Sequence, residues 1–215
     1  MITSKGRKMP KGKFITLEGG EGVGKTTNLA FIKDYLVQHN ITVVVTREPG
    51  GTPLAEKLRQ LLLDKNSEAI SDKAELLMIF AARSQHIKHV IEPALARGDW
   101  VLCDRFTDAT YAYQGGGRNM RVSTIAWLEN LVQGNLKPDL TLLFDAPVEL
   151  GMERARNRSI FDRFESEKIS FFEQVRRAYL LQAELYPERI KVIKANQPLL
   201  EVQRTLINAI STFLR

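Results

Sequence analysis

The chain has 215 residues, 44% of them hydrophobic and 26% charged, with a formal net charge of +6 and one cysteine. That length suits one α/β domain with a sizeable core; the composition is that of an ordinary soluble globular protein, and the lone Cys103 excludes an internal disulfide and fits a reducing cytosol. No apolar run approaches the roughly 20 residues that span a membrane, so a cytoplasmic protein is expected.

The opening segment, MITSKGRKMPKGK, is basic and lacks the apolar centre of a secretory signal. We expect a disordered extension over residues 1–12 and a single domain over 13–215. Phe14, Ile15 and Leu17 read as a buried strand, and Leu29, Ile32 and Leu36 recur at helical spacing. Between them lies GGEGVGKTT, residues 19–27, which carries the phosphate-loop pattern G-x-x-x-x-G-K-[ST]. Glycines there let backbone N–H groups converge on phosphate oxygens, and the following helix aims its positive end at the same place. Gly19, Gly20, Glu21, Gly22, Val23, Gly24, Lys25, Thr26 and Thr27 are therefore expected to hold the phosphates of a nucleotide. Lys25 would reach the β/γ-phosphates, and the Thr26 hydroxyl would ligate Mg2+. Glu21 is the odd member, a carboxylate in a phosphate site. A nucleotide switch of the GTPase type would also need an N-K-x-D motif to read its base, and the sequence has none.

Four further apolar segments follow, Thr42–Val45, Trp100–Cys103, Leu140–Phe144 and Lys191–Ile193. Helical patterns separate them, which is the alternation of parallel strands with crossover helices. Ligands bind beyond the carboxyl ends of such strands. There the chain carries TREPGGT (46–52), DRF (104–106) and FDAPVE (144–149). Asp104 beside Arg105 sets an acid for a metal–water shell next to a base for a phosphate, whereas Asp145 reads as the cap of a helix beginning at Pro147. The segment DKAELLMIFAARSQH, 72–86, is apolar nearly all round and reads as a buried helix. Leu76, Phe80, Arg83 and Ile87 share one stripe of it, so Arg83 needs a partner. A nearby acid or a ligand, with Phe80 as a stacking plate, would each serve. His86 and His89 lack a third ligand at suitable spacing and read as surface or core histidines. YAYQGGG, 111–117, reads as a loop closing around something flat. Basic residues gather in the opening segment and in RARNR, 154–158, without zinc spacing, an RNP-type motif or a basic zipper. Phosphorylated small molecules, rather than nucleic acid or a membrane, are the expected partners.

Together, EGGEGVGKTT (18–27), TREPGGT (46–52), LMIFAAR (77–83), DRF (104–106), AYQGGGR (112–118), KPDLTLLFD (137–145) and RARNRSIFDRFE (154–165) resemble the bacterial thymidylate kinases. The phosphate loop alone is shared by many families; TREPGGT, DR and YQGGG in that order are specific. The resemblance implies transfer of the γ-phosphoryl of ATP, with Mg2+, to dTMP. It also implies a three-layer P-loop kinase fold with a five-stranded parallel sheet in order 2-3-1-4-5, and a homodimer. On the same grounds Lys25 and Thr26 would serve the ATP phosphates and Mg2+, Arg105 the dTMP phosphate, and Asp104 the metal side. Arg83 would meet the thymine edge, Thr110 would lie near the base, Tyr113 against the deoxyribose, and Phe80 or its neighbour on the thymine face, with Arg47 and Gln114 among the substrate contacts. Glu21 would accept a hydrogen bond from the dTMP 3′-hydroxyl, and an acid so placed needs a donor and a cation to compensate it. Two positions depart from the common pattern: Ile79 stands where many members have the stacking Phe, and Phe106 where DR often continues with Tyr or His. Finally, the resemblance implies a mobile lid over about 150–165. Positions 20–23 of the phosphate loop hold no arginine, so Arg154, Arg156, Arg158 and Arg163 are the candidates for a cation at the transferring phosphoryl group, Arg158 first, with Arg154 along the ATP purine.

Overall fold

The structure, a computed structural model, describes residues 12–65, 68–156, 163–164 and 167–214. Strands β1 (Phe14–Gly19), β2 (Val43–Arg47), β3 (Trp100–Asp104), β4 (Leu140–Asp145) and β5 (Ile190–Lys194) form one sheet in the order β2-β3-β1-β4-β5. Every pairing is parallel, as expected. Nine α-helices alternate with them among the described residues: α1 (Lys25–Gln38), α2 (Pro53–Leu63), α3 (Asp72–His86), α4 (Glu92–Arg97), α5 (Thr107–Thr110), α6 (Val122–Gln133), α7 (Val148–Arg156), α8 (Ile169–Leu185) and α9 (Leu199–Ser211). Two π-helical turns, Ile87–Ile91 and Tyr111–Gly117, continue α3 and α5.

Successive side chains of a strand point to opposite faces, and here both faces are covered. Ile15, Leu17, Leu102 and Leu142 pack with Ile32 and Leu36 of α1 and with Val202, Leu206 and Ile210 of α9. Their neighbours face the other way: Phe14, Val101 and Cys103 join Ile87, Ile91 and Leu95, while Leu143 joins Phe172, Val175 and Tyr179 of α8. Each large side chain buried in this way contributes about 1.5–3 kcal/mol. Helix α2 is capped by Thr52, whose hydroxyl accepts from the Ala55 N–H at 3.1 Å, and starts at Pro53.

All five strands run one or two residues past the limits read from the sequence, towards the carboxyl rim. The ladder continues through polar residues, since Leu17 pairs with Asp104, Glu18 with Leu143, and Arg47 with Asp104. A reading based on apolar runs stops where those runs stop. The YAYQGGG segment is helical rather than a loop. Its glycines serve close packing: a Cβ on Gly117 would lie 2.4 Å from the Phe171 ring of α8. Helix α3 matches its expected span, but Leu77 on it is 57% exposed, so one face is open. The expected extension over 1–12 lies outside the described residues except for Gly12, which is buried and donates its N–H to the Leu95 carbonyl at 3.2 Å. No helix among the described residues is long and apolar enough to cross a membrane.

Candidate active site

The phosphate loop sits between β1 and α1 and rests on α7. Gly22 has φ +66°, and a Cβ there would lie 1.9 Å from the Gly151 carbonyl oxygen, so only glycine fits. Lys25 curls back over the loop, donating from Nζ to the carbonyls of Gly19 (3.1 Å) and Gly20 (2.7 Å). Burial, and after it repulsion from Arg105, lowers its pKa to about 8 against the attraction of Glu21 and Asp104. Across the loop, Oδ1 of Asp104 is buried and has no hydrogen-bond partner among the described residues. A buried carboxylate oxygen without a donor calls for water or a cation. With the exposed Thr26 hydroxyl on the same cavity wall, it makes an oxygen donor set of the kind Mg2+ takes. Asp145, at the end of β4, differs. Both of its oxygens accept from Arg176, at 2.7 and 3.0 Å, so its structural role runs through that ion pair, and the expected helix starts at Val148.

Beside Asp104 the backbone turns through the left-handed region at Arg105, φ +69°, a conformation that costs of order 1–3 kcal/mol for a residue with a side chain. The turn is held by the Arg105 N–H on the Leu17 carbonyl at 2.9 Å. It brings the guanidinium under the loop, where Nη2 donates to Glu21 Oε1 at 2.5 Å and Nη1 donates to the Gly19 carbonyl at 3.0 Å. The Tyr113 hydroxyl donates to the same Glu21 oxygen at 2.9 Å, and its ring lies 4.7 Å from the Arg105 guanidinium carbon. Burial raises the Tyr113 pKa well above its ordinary value, so the phenol stays a donor. The cation and the donor that Glu21 requires thus come from within the protein. Beneath them Glu18 is fully buried, accepting from the Phe106 N–H at 2.7 Å and from the Tyr179 hydroxyl at 2.8 Å. Burial first, and Asp108 second, push its pKa up to about 8.

The other end of the site is built on α3. Arg83 donates from Nε to Glu48 Oε2 at 2.7 Å, and from Nη2 to the Thr110 hydroxyl at 2.9 Å and the Phe106 carbonyl at 3.2 Å. Its remaining nitrogen, Nη1, is buried and has no partner among the described residues. Glu48 is held in turn by His86 Nδ1 at 2.9 Å, and His86 Nε2 lies 2.6 Å from the Thr46 hydroxyl. One cavity of about 190 Å3 joins the two ends, with Lys25, Thr26, Asp104 and Arg105 at one side, Ile79, Arg83, Thr110 and Gln114 at the other, and Tyr113 on the wall beside Arg105.

The family model for thymidylate kinase matches residues 17–206. The chain belongs to the thymidylate kinase family. It is 59% identical over 203 residues to a thymidylate kinase of Teredinibacter turnerae, covering 94% of this chain and 99% of the relative. It is 58% identical over 195 residues to one of Pseudomonas entomophila, covering 91% and 93%. A solved thymidylate kinase structure from Ehrlichia chaffeensis superposes with a TM-score of 0.76 at 33% identity, over 94% of this chain and 99% of that one.

Against the residues expected from the thymidylate kinase resemblance, the placements are uneven. Lys25, Thr26, Asp104, Arg105, Glu21, Gly22, Val23, Gly24, Arg83, Thr110, Tyr113 and Gln114 line the cavity. Gly19 and Gly20 turn their carbonyls to Lys25, and Thr27 is exposed on α1. Both readings of Arg83 coexist in one side chain, since it has its acid and still faces the cavity. Phe80 packs behind with Leu76, Ile125 and Leu128, its ring 4.9 Å from the Arg83 guanidinium carbon, and Ile79 takes the cavity wall. Arg47 points away, paired with Glu56 at 2.9 Å in the open. Arg59 lines the cavity instead and donates to the Pro49 carbonyl at 3.0 Å. Arg154 donates to the Ala195 carbonyl at 3.3 Å, and Arg158 lies outside the described residues. His86 is the core histidine, while His89 is exposed. Sequence reasoning missed Glu48, Arg59 and Phe164. Only Glu48 left a signal, because an arginine on an apolar helix face demands an acid.

Proposed function

We propose that the chain transfers the γ-phosphoryl of ATP to dTMP, giving ADP and dTDP for dTTP synthesis. An oxygen of the dTMP phosphate forms a bond to the γ-phosphorus as the bond to the β–γ bridging oxygen breaks. Catalysis of this kind is positioning plus charge stabilisation. The loop backbone and Lys25 hold the ATP phosphates. Arg105, kept aimed by Glu21, holds the acceptor phosphate, and Glu21 takes the 3′-hydroxyl with Tyr113 against the deoxyribose. Arg83 offers Nη1 to the thymine edge, Thr110 and Gln114 stand near the base, and Ile79 meets its face with Phe80 behind. Thr26 and Asp104 would hold Mg2+, which would supply positive charge at the ATP phosphates. In this reading Arg158 supplies the cation of the transition state and Arg154 lies along the purine. A cytoplasmic location belongs to the same reading, as does a homodimer. The exposed Leu77 of α3 and Trp127 and Leu131 of α6, each more than half exposed, are apolar surface that a second copy would cover.

The observation that carries the reading is the pair of orphaned atoms on one cavity, Asp104 Oδ1 at the phosphate end and Arg83 Nη1 at the other. A magnesium nucleotide and a base carbonyl would satisfy both. A coupled ADP-release assay with ATP and Mg2+ across dTMP, dUMP, dGMP and dCMP tests it. Turnover led by dTMP is expected; turnover led by dGMP or dCMP would overturn it.

A further inference from the structure

One buried charge near the cavity has no part in the chemistry above. Glu75, one turn before Ile79 and two before Arg83 on α3, is 0% exposed and does not itself line the cavity. Its carboxylate gathers three donor side chains from two separate parts of the chain. Gln114 Nε2 donates to Oε1 at 2.8 Å. Arg118 donates to both oxygens, from Nε and Nη2, at 3.4 Å each. Arg163 Nη2 donates to Oε2. Each of these donors governs a piece of cavity wall. Gln114 is wall itself, and Arg118 closes the Tyr111–Gly117 turn through its N–H on the Tyr113 carbonyl at 2.8 Å. Arg163 also donates from Nε to the Leu62 carbonyl at 2.8 Å, and its guanidinium carbon lies 4.5 Å from the ring of Phe164. Phe164 is wall again, edge-on to Tyr113 with ring centroids 6.0 Å apart.

We propose that Glu75 is a positioning residue for the acceptor nucleotide: it seats Gln114 and, through Arg163, Phe164 against the nucleoside end of the cavity. A buried carboxylate cannot be left unpaired, so it recruits both guanidinium groups and fixes the segments that carry them. Bidentate and charge-assisted bonds are the strong, directional ones, which suits a wall that must hold its shape. The ATP end has no member in this cluster, so the two substrates should respond differently. Arg163 belongs here to the nucleoside wall, not to the transferring phosphoryl group. The proposal rests on reading the cavity as the dTMP site.

Steady-state kinetics of Glu75→Gln, Arg163→Met, Arg163→Lys and the Glu75→Gln/Arg163→Met double variant test it, with thermal unfolding as the check on folding. Losing the charge-assisted bond should raise KM for dTMP about 10-fold or more in Arg163→Met, with KM for ATP changed less than about 2-fold. Arg163→Lys, which keeps the charge, should recover most of the loss. The double variant should be no worse than Glu75→Gln alone, since both remove one interaction. If Glu75→Gln does not fold, the two Arg163 variants decide the matter. A folded Arg163→Met with unchanged KM for dTMP overturns the proposal. So does an equal rise in both KM values, or a fall in kcat of about 10³-fold at unchanged KM, which would make Arg163 the transition-state cation. A wild-type chain that turns over no dTMP would remove the functional reading beneath the proposal, and the positioning role with it.

Discussion

The two ends of the cavity are built on different principles. The phosphate end holds groups in reserve, although Arg105 and Glu21 pair there across 84 residues. Lys25 bonds to its own loop five and six residues away, and Asp104 keeps an oxygen unpaired. The nucleoside end is assembled from far apart and already satisfied: Arg83 reaches Glu48, Phe106 and Thr110, and Gln114 reaches Glu75. Lys25 and Asp104 at the first end wait for a ligand to complete them, whereas the charges at the second complete one another and spare one nitrogen. Mutations should therefore separate. Damage at the phosphate end should cost rate, and damage at the nucleoside end should cost stability together with one substrate's binding.

Lys25→Ala is the largest test. Removing a preorganised charge at the site of phosphoryl transfer should lower kcat by about 10³-fold or more. Stability should not fall, because the buried ammonium is held with its pKa already lowered and its removal relieves desolvation. Single-turnover kinetics beside thermal unfolding would check both halves. A near-normal rate would break the phosphate-loop assignment.

Arg83→Met should do the reverse. It leaves Glu48 buried with only the His86 side of its network, and breaking such a pair costs about 3–5 kcal/mol. KM for dTMP should rise about 10-fold or more, while ATP binding stays near normal. Calorimetric titration with each nucleotide, run on the folded fraction, would decide. Equal loss of both substrates would make the arginine purely structural.

The same contrast explains what could be read from the sequence. The phosphate end was legible because GGEGVGKTT is contiguous, and spacing alone defines its backbone chemistry. The sheet was legible because parallel strands buried on both faces leave apolar runs. Arg83 was legible as a residue in need of a partner, yet Glu48 as that partner was not, since 35 residues separate them. Arg47 and Arg59 show the limit. Both are bases near TREPGGT, but only the three-dimensional course of α2 turns Arg59 to the cavity and leaves Arg47 to Glu56. Ile79 and Phe80 differ by one residue, or about 100° of helix. Which of them faces the cavity depends on the rotation of α3, fixed by Leu76 and Phe80 packing on α6.

The two strand-end aspartates allow a finer cut. Asp104→Asn should raise the apparent Mg2+ requirement by about 10- to 100-fold with KM for dTMP unchanged. Asp145→Asn should leave the Mg2+ requirement alone and lower stability by no more than about 1 kcal/mol, because its partner Arg176 is 40% exposed. Magnesium titrations of both variants at saturating nucleotides would show it. A shared Mg2+ phenotype would mean that the unpaired oxygen does not mark the metal side.

The last test concerns Glu18, beneath the phosphate loop, which accepts from the hydroxyl of Tyr179, 161 residues away. Burial, then Asp108, raise its pKa from 4.5 to about 8. Between those values the folded chain holds a proton that the unfolded chain has released. Stability from this group is therefore complete below about pH 4.5 and is lost as pH rises towards 8, by at most about 1.4 kcal/mol per pH unit. Glu18→Gln carries a neutral side chain of the same shape and should remove that slope. Urea unfolding of both proteins from pH 5 to 9 would then give curves that diverge, with wild type losing ground to the variant up to about pH 8 and a constant gap above it. Parallel curves across the range would mean that Glu18 is already ionised at pH 5. The hydroxyl of Tyr179 and the N–H of Phe106, which both donate to it, would then be enough to hold a bare charge under the phosphate loop.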